Sequence, residues 1–172
     1  MNKKKLKYRV TYLEMNRKPS FDWPKNLKHK LSILLAESFP AWYFLFFYKQ
    51  VGKKYYWTDW LRKSENEIDE FVNDKNVLLY TLIKDGWPVG FYMLDYRKKD
   101  ICDLSFFGLV DEVIGIGLGK YLLQTAILTA WDSKKIKKLT VNTCSLDHKS
   151  AIYLYQKYGF TPVKYKDLEK TV

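Results

Sequence analysis

A glycine-rich segment in the second half of the chain restricts the fold more than any other feature. The segment runs from Ile114 to Lys120, reads Ile-Gly-Ile-Gly-Leu-Gly-Lys, and lies between a strand-like run and a helix-like run. Alternate glycines allow the backbone to approach a ligand closely and to direct several N–H groups the same way. The N-terminus of the following helix adds about half a positive charge. The segment therefore predicts an anion-binding turn between a strand and a helix, suited to a pyrophosphate.

The segment does not match the two most common phosphate-binding motifs. A P-loop needs glycine where Ile114 stands and Ser or Thr where Tyr121 stands. A Rossmann fingerprint needs another glycine where Lys120 stands, and it should follow the first strand of a parallel unit. The alternative, that the glycines only permit a tight turn, explains three glycines in five residues less well.

The rest of the chain predicts one domain, residues 1–172, because a domain usually has about 100–200 residues. The strands first follow one another as hairpins and later alternate with helices, which predicts an α/β (α+β) fold with a mixed sheet. Residues 31–36 fit either a strand or a helix, and we favour a strand; residues 16–26 predict a loop. The predicted strands are 7–15, 31–36, 76–84, 87–96, 100–109, 136–143 and 160–165, and the long helices are 40–51, 117–131 and 149–158.

Local signals support several of these boundaries. The dipeptide Asp85-Gly86 is a strong hairpin signal between two of the strands. Pro40 suits a first helical position, and Gly52 is expected to stop the helix that begins there. Ser64 and Glu67 have the spacing of a capping box, which predicts a further short helix.

The net charge of +11 and the pI near 9.4 would suit a protein that binds nucleic acid. The type and the distribution of the basic residues weaken that interpretation. The basic residues are mostly Lys and are scattered, whereas base recognition relies on Arg. We favour a solvated lysine-rich surface that helps to attract a polyanionic small molecule, and we expect no nucleic-acid partner.

Cysteine and histidine content bears on the compartment and on metal binding. Cys102 and Cys144 do not suggest a disulfide framework and suit a reducing cytosol. No export signal is visible, and the longest apolar run, residues 39–48, is half of the roughly 20 residues that a membrane span needs. We therefore expect a cytoplasmic protein without membrane association. With His29 and His148, the cysteines show no paired ligand spacing, so no metal site is expected.

A second motif lies downstream and reads Ala151-x-x-Leu154-Tyr155-x-x-x-Gly159-Phe160. Together with Ile114-x-x-Gly117-x-Gly119, this motif resembles the GNAT superfamily of N-acetyltransferases. The superfamily signature opens with Gln or Arg, and Ile114 departs from it. Further short stretches, residues 10–15, 51–52, 57–60, 106–109 and 143–148, look like those of a poorly characterised bacterial subgroup, so the resemblance spans nearly the whole chain.

The resemblance implies a mostly antiparallel central sheet flanked by helices, with a splayed strand pair at an acetyl-CoA site. It implies that the N–H of Leu109 polarises the thioester carbonyl. Tyr155 matches the tyrosine that protonates the departing CoA thiolate. The expected cofactor-binding residues are Phe107, Gly108, Leu109, Ile114, Gly115, Ile116, Gly117, Leu118, Gly119, Lys120 and His148.

The general base and the acceptor site are less narrowly defined. Asp103 lies on the strand that leads into the site and Glu112 precedes the loop; we slightly favour Asp103 as the base, acting directly or through water. Acceptor binding is assigned to Tyr43, Trp57 and Asp59, although the aromatic residues could equally belong to the core.

The predicted function is an acetyl-CoA-dependent N-acetyltransferase that transfers acetyl directly to the primary amine of a small, unidentified acceptor. The alternative is a catalytically weak or inactive module that binds or senses acyl-CoA. The partners are acetyl-CoA and the amine, and the oligomeric state is left open, with a homodimer among the alternatives.

Overall fold

The computed structural model describes residues 5–25 and 29–171. Residues 1–4 of the basic N-terminus and residue 26 of the predicted loop lie outside the described residues. Seven strands and four α-helices are joined by short 3₁₀ turns. The strands are β1 (Lys5–Met15), β2 (Leu31–Ala36), β3 (Val77–Lys84), β4 (Trp87–Asp95), β5 (Ile101–Leu109), β6 (Lys138–Cys144) and β7 (Thr161–Thr171), and the helices are α1 (Ala41–Gly52), α2 (Glu65–Val72), α3 (Leu118–Ser133) and α4 (Ala151–Lys157).

The strands form one sheet in the order β2-β3-β4-β5-β6-β1-β7. Every neighbouring pair is antiparallel except β5 and β6, which are parallel. The predicted mixed, mostly antiparallel sheet is confirmed. The N-terminal strand β1 lies between β6 and β7, so both ends of the chain contribute to the half of the sheet beyond the parallel pair.

The parallel pairing of β5 with β6 is short. It joins Ile101 to Lys138, Cys102 to Leu139 and Asp103 to Thr140, and the strands separate beyond these pairs. A gap therefore opens between the C-terminal parts of the two strands.

A β-bulge in β5 lies beside this gap. Leu104 pairs with Leu94 and Phe106 pairs with Met93, so Ser105 is the extra residue. Because of the bulge, Phe106 and Leu104 face opposite sides of the sheet, whereas in a regular strand they would share one side. Phe106 packs among the aromatic residues near α1 and α2, and Phe107 packs on the other side.

Helices cover both faces of the sheet. The larger core lies under α3 and α4 and includes Leu122, Ile127 and Tyr155. The second core lies under α1 and α2 and includes Phe44, Phe47 and Phe91. Alternate residues of β4 contribute to the two cores, as expected for a strand that is buried on both faces. In the described part of the chain, no helix is long and apolar enough to cross a membrane.

The hairpin and capping signals are confirmed. Asp85 and Gly86 have φ values of 51° and 89°, as a tight two-residue hairpin turn requires. The side chain of Ser64 accepts a hydrogen bond from the N–H of Glu67, and the Glu67 carboxylate accepts one from the N–H of Ser64. Residues 31–36 form a strand, β2.

The predicted end of α1 is confirmed, since the helix ends at Gly52. Gly52 is not in the left-handed region, however: a 3₁₀ turn follows it, and the left-handed residue is Tyr56, with φ 57°. Glycine is needed at position 52 for close packing, because a Cβ there would overlap the side chain of Trp57. Helix α4 is shorter than predicted and begins only after Ser150.

Strand β7 is five residues longer than predicted, because it begins one residue later and ends six residues later, at Thr171. Its extension pairs with the first residues of β1, and Arg9 binds Asp167 across the two strands with a 2.7 Å contact. Both faces of this extension carry polar residues, so the alternation that reveals a half-buried strand is missing.

Candidate active site

A cavity of about 370 Å³ occupies the gap between β5 and β6. The end of β5, the glycine-rich loop, the start of α4 and the segment after α1 line it. Most of the predicted cofactor-binding residues lie in its wall. These are Phe107, Gly108, Leu109, Ile114, Gly115, Gly117, Gly119, Lys120 and His148. Ile116 is 47% exposed and is not part of the wall, and Leu118 is buried in the larger core.

The glycine loop presents open backbone to the cavity. Gly115 and Gly117 have φ values of 90° and 89°, which L side chains rarely adopt, and no atom lies within 4 Å of where a Cβ would be. Gly117 is also the residue that precedes α3, and no side chain caps this helix. The N–H groups of the first turn of α3 have no partner within the helix. These features fit a pyrophosphate group.

The end of β5 directs backbone groups into the gap. The N–H of Val110 donates to the carbonyl oxygen of Val89 next to β4, with an N···O distance of 2.9 Å. Successive residues of a strand direct their N–H groups to opposite edges, so the N–H of Leu109 faces the gap. This arrangement suits a ligand that adds hydrogen bonds to the unpaired edge of β5.

Tyr155 lies in the cavity wall on α4 and is 6% exposed. Its ring contacts Phe107 edge-on, with a centroid distance of 6.1 Å, and it packs on Phe160 at 5.8 Å. Burial, and then the negative charges of Asp147 and Asp103, raise the pKa of the Tyr155 hydroxyl above its ordinary value. The hydroxyl therefore keeps its proton at neutral pH and is available as a proton donor.

Asp103 lies next to this cavity but does not line it. Its carboxylate accepts hydrogen bonds from the hydroxyls of Thr140, at 2.6 Å, and Ser105, at 2.8 Å. Burial raises the pKa of Asp103, and the two hydroxyls oppose that rise. Ser105 does line the cavity, so the Asp103 carboxylate is one hydrogen bond away from a residue of the cavity wall.

The structure places Glu112 apart from these groups. It is exposed on the 3₁₀ turn Asp111–Val113 and is not part of the cavity wall. The neighbouring carboxylate of Asp111 binds Lys54 at 2.6 Å, which ties this turn to the segment after α1.

Asp147 is a site residue that no sequence motif revealed. Its carboxylate accepts hydrogen bonds from the hydroxyl of Thr143 at 2.8 Å and from the N–H of Cys144 at 2.7 Å. It also accepts one from the indole N–H of Trp57 at 3.1 Å. Trp57 and Asp147 both line the cavity, and their contact joins the segment after α1 to the end of β6. The stretch 143–148 belonged to the resemblance, but nothing in it singled out this carboxylate.

The three residues assigned to acceptor binding are not brought together. Trp57 lines the cavity, whereas Tyr43 packs over β3, with its hydroxyl 2.8 Å from the hydroxyl of Thr81. Asp59 is exposed and lies 3.7 Å from Nζ of Lys170 on β7.

His148 lines the cavity three residues before α4 begins. Its Nδ1 accepts a hydrogen bond from the N–H of Ser150 at 3.3 Å and lies 2.8 Å from the Ser150 hydroxyl. Among residues 5–25 and 29–171, no group of three His, Cys, Asp or Glu side chains is placed to hold a metal ion.

Comparison with solved structures shows which folds are similar. A conserved protein of unknown function from Staphylococcus epidermidis superposes with a TM-score of 0.64 at 13% identity, covering 96% of this chain and 62% of that one. A GCN5-related N-acetyltransferase from Kribbella flavida gives a TM-score of 0.58 at 14% identity, with 95% and 57% covered. This chain thus spans about three fifths of the length of these two proteins.

A third similar structure is a GNAT family acetyltransferase from Elizabethkingia anophelis with acetyl-CoA bound. It gives a TM-score of 0.57 at 23% identity and covers 78% of both chains. No curated protein has a sequence that matches this chain. A sequence model of the acetyltransferase (GNAT) family matches residues 36–160, which is more than half of the 172 residues. The fold and the family match together confirm the resemblance seen in the sequence: the chain belongs to the GNAT family of acetyltransferases.

Proposed function

We propose that this protein transfers an acetyl group from acetyl-CoA directly to the primary amine of a small acceptor. The observation that carries the proposal is the position of Tyr155. Its protonated hydroxyl is buried in the wall of a cavity that lies between separated strands and extends to an open glycine loop. A proton donor at that place has the role that a departing thiolate requires.

Binding of acetyl-CoA is supported mainly by backbone groups, with one charged side chain beside them. The N–H groups of the loop and of the first turn of α3 suit the pyrophosphate, and Lys120 in the wall adds a positive charge. Ile114 offers no polar group, so this loop does without the side chain that opens the signature of the superfamily. The unpaired edge of β5 suits the amide groups of the pantetheine arm.

The reaction forms one bond and breaks one. The neutral amine nitrogen attacks the thioester carbonyl carbon, a C–N bond forms, and the C–S bond breaks. A backbone N–H on the unpaired edge of β5 stabilises the negative charge that develops on the carbonyl oxygen. The Tyr155 hydroxyl gives its proton to the sulfur as it leaves, the nitrogen loses one proton as it becomes the amide, and solvent returns a proton to Tyr155 before the next turnover.

Asp103 is proposed as the group that takes the proton from the acceptor amine. The Ser105 hydroxyl donates to its carboxylate and Ser105 is a residue of the cavity wall, so a proton can pass from the amine through Ser105 or a water molecule. Glu112, the other candidate base, is exposed and outside the cavity wall. The geometry therefore favours Asp103.

The first prediction concerns the glycine loop. Gly117→Glu should weaken CoA binding about 100-fold or more, equivalent to about 2.7 kcal/mol, because it places a carboxylate in the anion site. Gly86→Glu is the matched control, since Gly86 also has a φ of 89° and open space at its Cβ position, but lies at the β3–β4 hairpin. Calorimetry with CoA should show normal affinity for the Gly86 variant, and equal affinity of both variants would contradict the loop assignment.

The second prediction concerns the proton donor. Tyr155→Phe should lower kcat by roughly 10²–10⁴ with little change in acetyl-CoA affinity, because only the hydroxyl is lost. Tyr158→Phe is the control, since Tyr158 is buried just after the same helix and is not part of the cavity wall. Thiol release is measured with whichever amine of a panel reacts. A loss of less than about threefold would remove Tyr155 from the mechanism.

The third prediction separates activity from stability at Asp103. Its raised pKa means that ionised Asp103 destabilises the fold at any pH above the ordinary pKa of Asp. Asp103→Asn should therefore raise Tm at neutral pH and lower activity at least 10²-fold. The gain in Tm should vanish only below about pH 3, where the wild-type carboxyl is protonated in both the folded and unfolded states.

The control for this variant is Asp100→Asn. Asp100 is partly exposed and binds Lys137 at 2.9 Å, so its loss should not raise Tm or abolish activity. Full activity of the Asp103 variant would exclude this residue as the base. If no amine releases thiol from acetyl-CoA although CoA binds, the acyl-CoA-sensing alternative replaces acetyl transfer.

A further inference from the structure

A further cavity of the protein is an open groove of about 630 Å³, which lies beside the place where β5 and β6 begin to separate. We call it the sheet groove. It lies on the face of the sheet opposite α3 and α4, since its strand residues alternate with residues of the larger core. Its charged lining consists of Glu14, Asp95, Arg97, Lys98, Asp103 and Lys138.

Four of these six charges form pairs with one another. Arg97 holds Asp95 with an Nη2···Oδ2 distance of 2.7 Å, and its guanidinium also lies over the ring of Phe71 at 4.9 Å. Lys138 binds Glu14 with an Nζ···Oε2 distance of 2.8 Å. The two pairs fix the walls of the groove and leave little net charge there.

The other two charges form no ion pair. Among the described residues, no cation lies within ion-pair distance of Asp103, whose hydrogen bonds come from two hydroxyls, and no carboxylate forms an ion pair with Lys98. The positive charge of Lys98 acts on Asp103 only at longer range, as the smallest of the effects on the pKa of that carboxyl. An unpaired carboxylate that is mostly withdrawn from water is costly unless an opposite charge joins it. The groove thus offers one negative and one positive position to a ligand.

We propose that the sheet groove binds the acceptor and that the acceptor is a small amino acid, with its ammonium group at Asp103 and its carboxylate at Lys98. This inference rests on the proposed function. Of the two charged positions in the groove, Asp103 is nearer the gap, because its carboxylate accepts a hydrogen bond from Ser105 of the cavity wall. An ammonium group at Asp103 would therefore lie on the side of the groove where acetyl transfer occurs. Lys98 follows β4 at the far side and holds the carboxylate away from the thioester.

The test compares acceptors that differ only in the carboxylate. Glycine, 4-aminobutyrate and 6-aminohexanoate are titrated by calorimetry into the CoA-saturated protein beside methylamine, butylamine and hexylamine. At least one amino acid should bind about threefold or more tightly than its matched amine, the modest gain expected for an exposed ion pair. Equal or tighter binding of all three plain amines, or no binding by any of the six compounds, would overturn the inference.

Reversing the charge of Lys98, the proposed carboxylate site, should change the affinities for amino acids and for plain amines in different ways. Lys98→Glu should weaken amino-acid binding several-fold and leave plain amines unchanged or tighter, because the groove becomes more negative. Lys99→Glu is the matched control, since Lys99 is an exposed neighbour that does not line the groove. Equal shifts in the two variants would exclude Lys98 as the carboxylate site.

Activity distinguishes failure of this inference from failure of the proposed function. Thiol release from acetyl-CoA with plain amines and no preference for amino acids would end the inference and leave acetyl transfer standing. No thiol release with either class would count against both.

Discussion

The short pairing between β5 and β6 is the constraint on which the rest of the site depends. Parallel strands in one sheet ordinarily continue side by side, but here the ladder stops at Asp103 and Thr140. The unpaired edge of β5 would be costly if it were buried without partners. Beyond Asp103 the edge of β5 faces a cavity instead, so the end of the pairing, which weakens the sheet, provides hydrogen-bonding groups for a ligand.

Side chains on both sides keep the gap open. On one side the ring of Tyr155 stands against Phe107, and on the other Trp57 reaches the Asp147 carboxylate at the end of β6. The bulge at Ser105 contributes to the packing on both faces of the sheet. It turns Phe106 towards the aromatic residues near α1 and leaves Phe107 facing α4. A proton donor and a carboxylate network are thereby fixed around one opening.

The elements with a strong local signal could be predicted from sequence. The Asp85-Gly86 turn and the glycine loop were predictable because their backbone conformations need particular residues. The extension of β7 was not, because its pairing with β1 places polar residues on both faces. Asp147 could not be found either, since its role arises from contact with Trp57, 90 residues earlier in the chain. Tyr43 and Asp59 were assigned because an aromatic ring and a carboxylate suit a cationic amine, and the fold separates them.

A crystal structure of the protein with CoA tests the assignment of the active site most directly. We expect the pantetheine arm to lie between β5 and β6, hydrogen-bonded to the edge of β5, with the pyrophosphate against the N–H groups of residues 114–120. We also expect the sulfur to lie within hydrogen-bond distance, about 3–4 Å, of the Tyr155 hydroxyl. CoA bound elsewhere, or a sulfur remote from Tyr155, would contradict the claim that the broken strand pair is the active site.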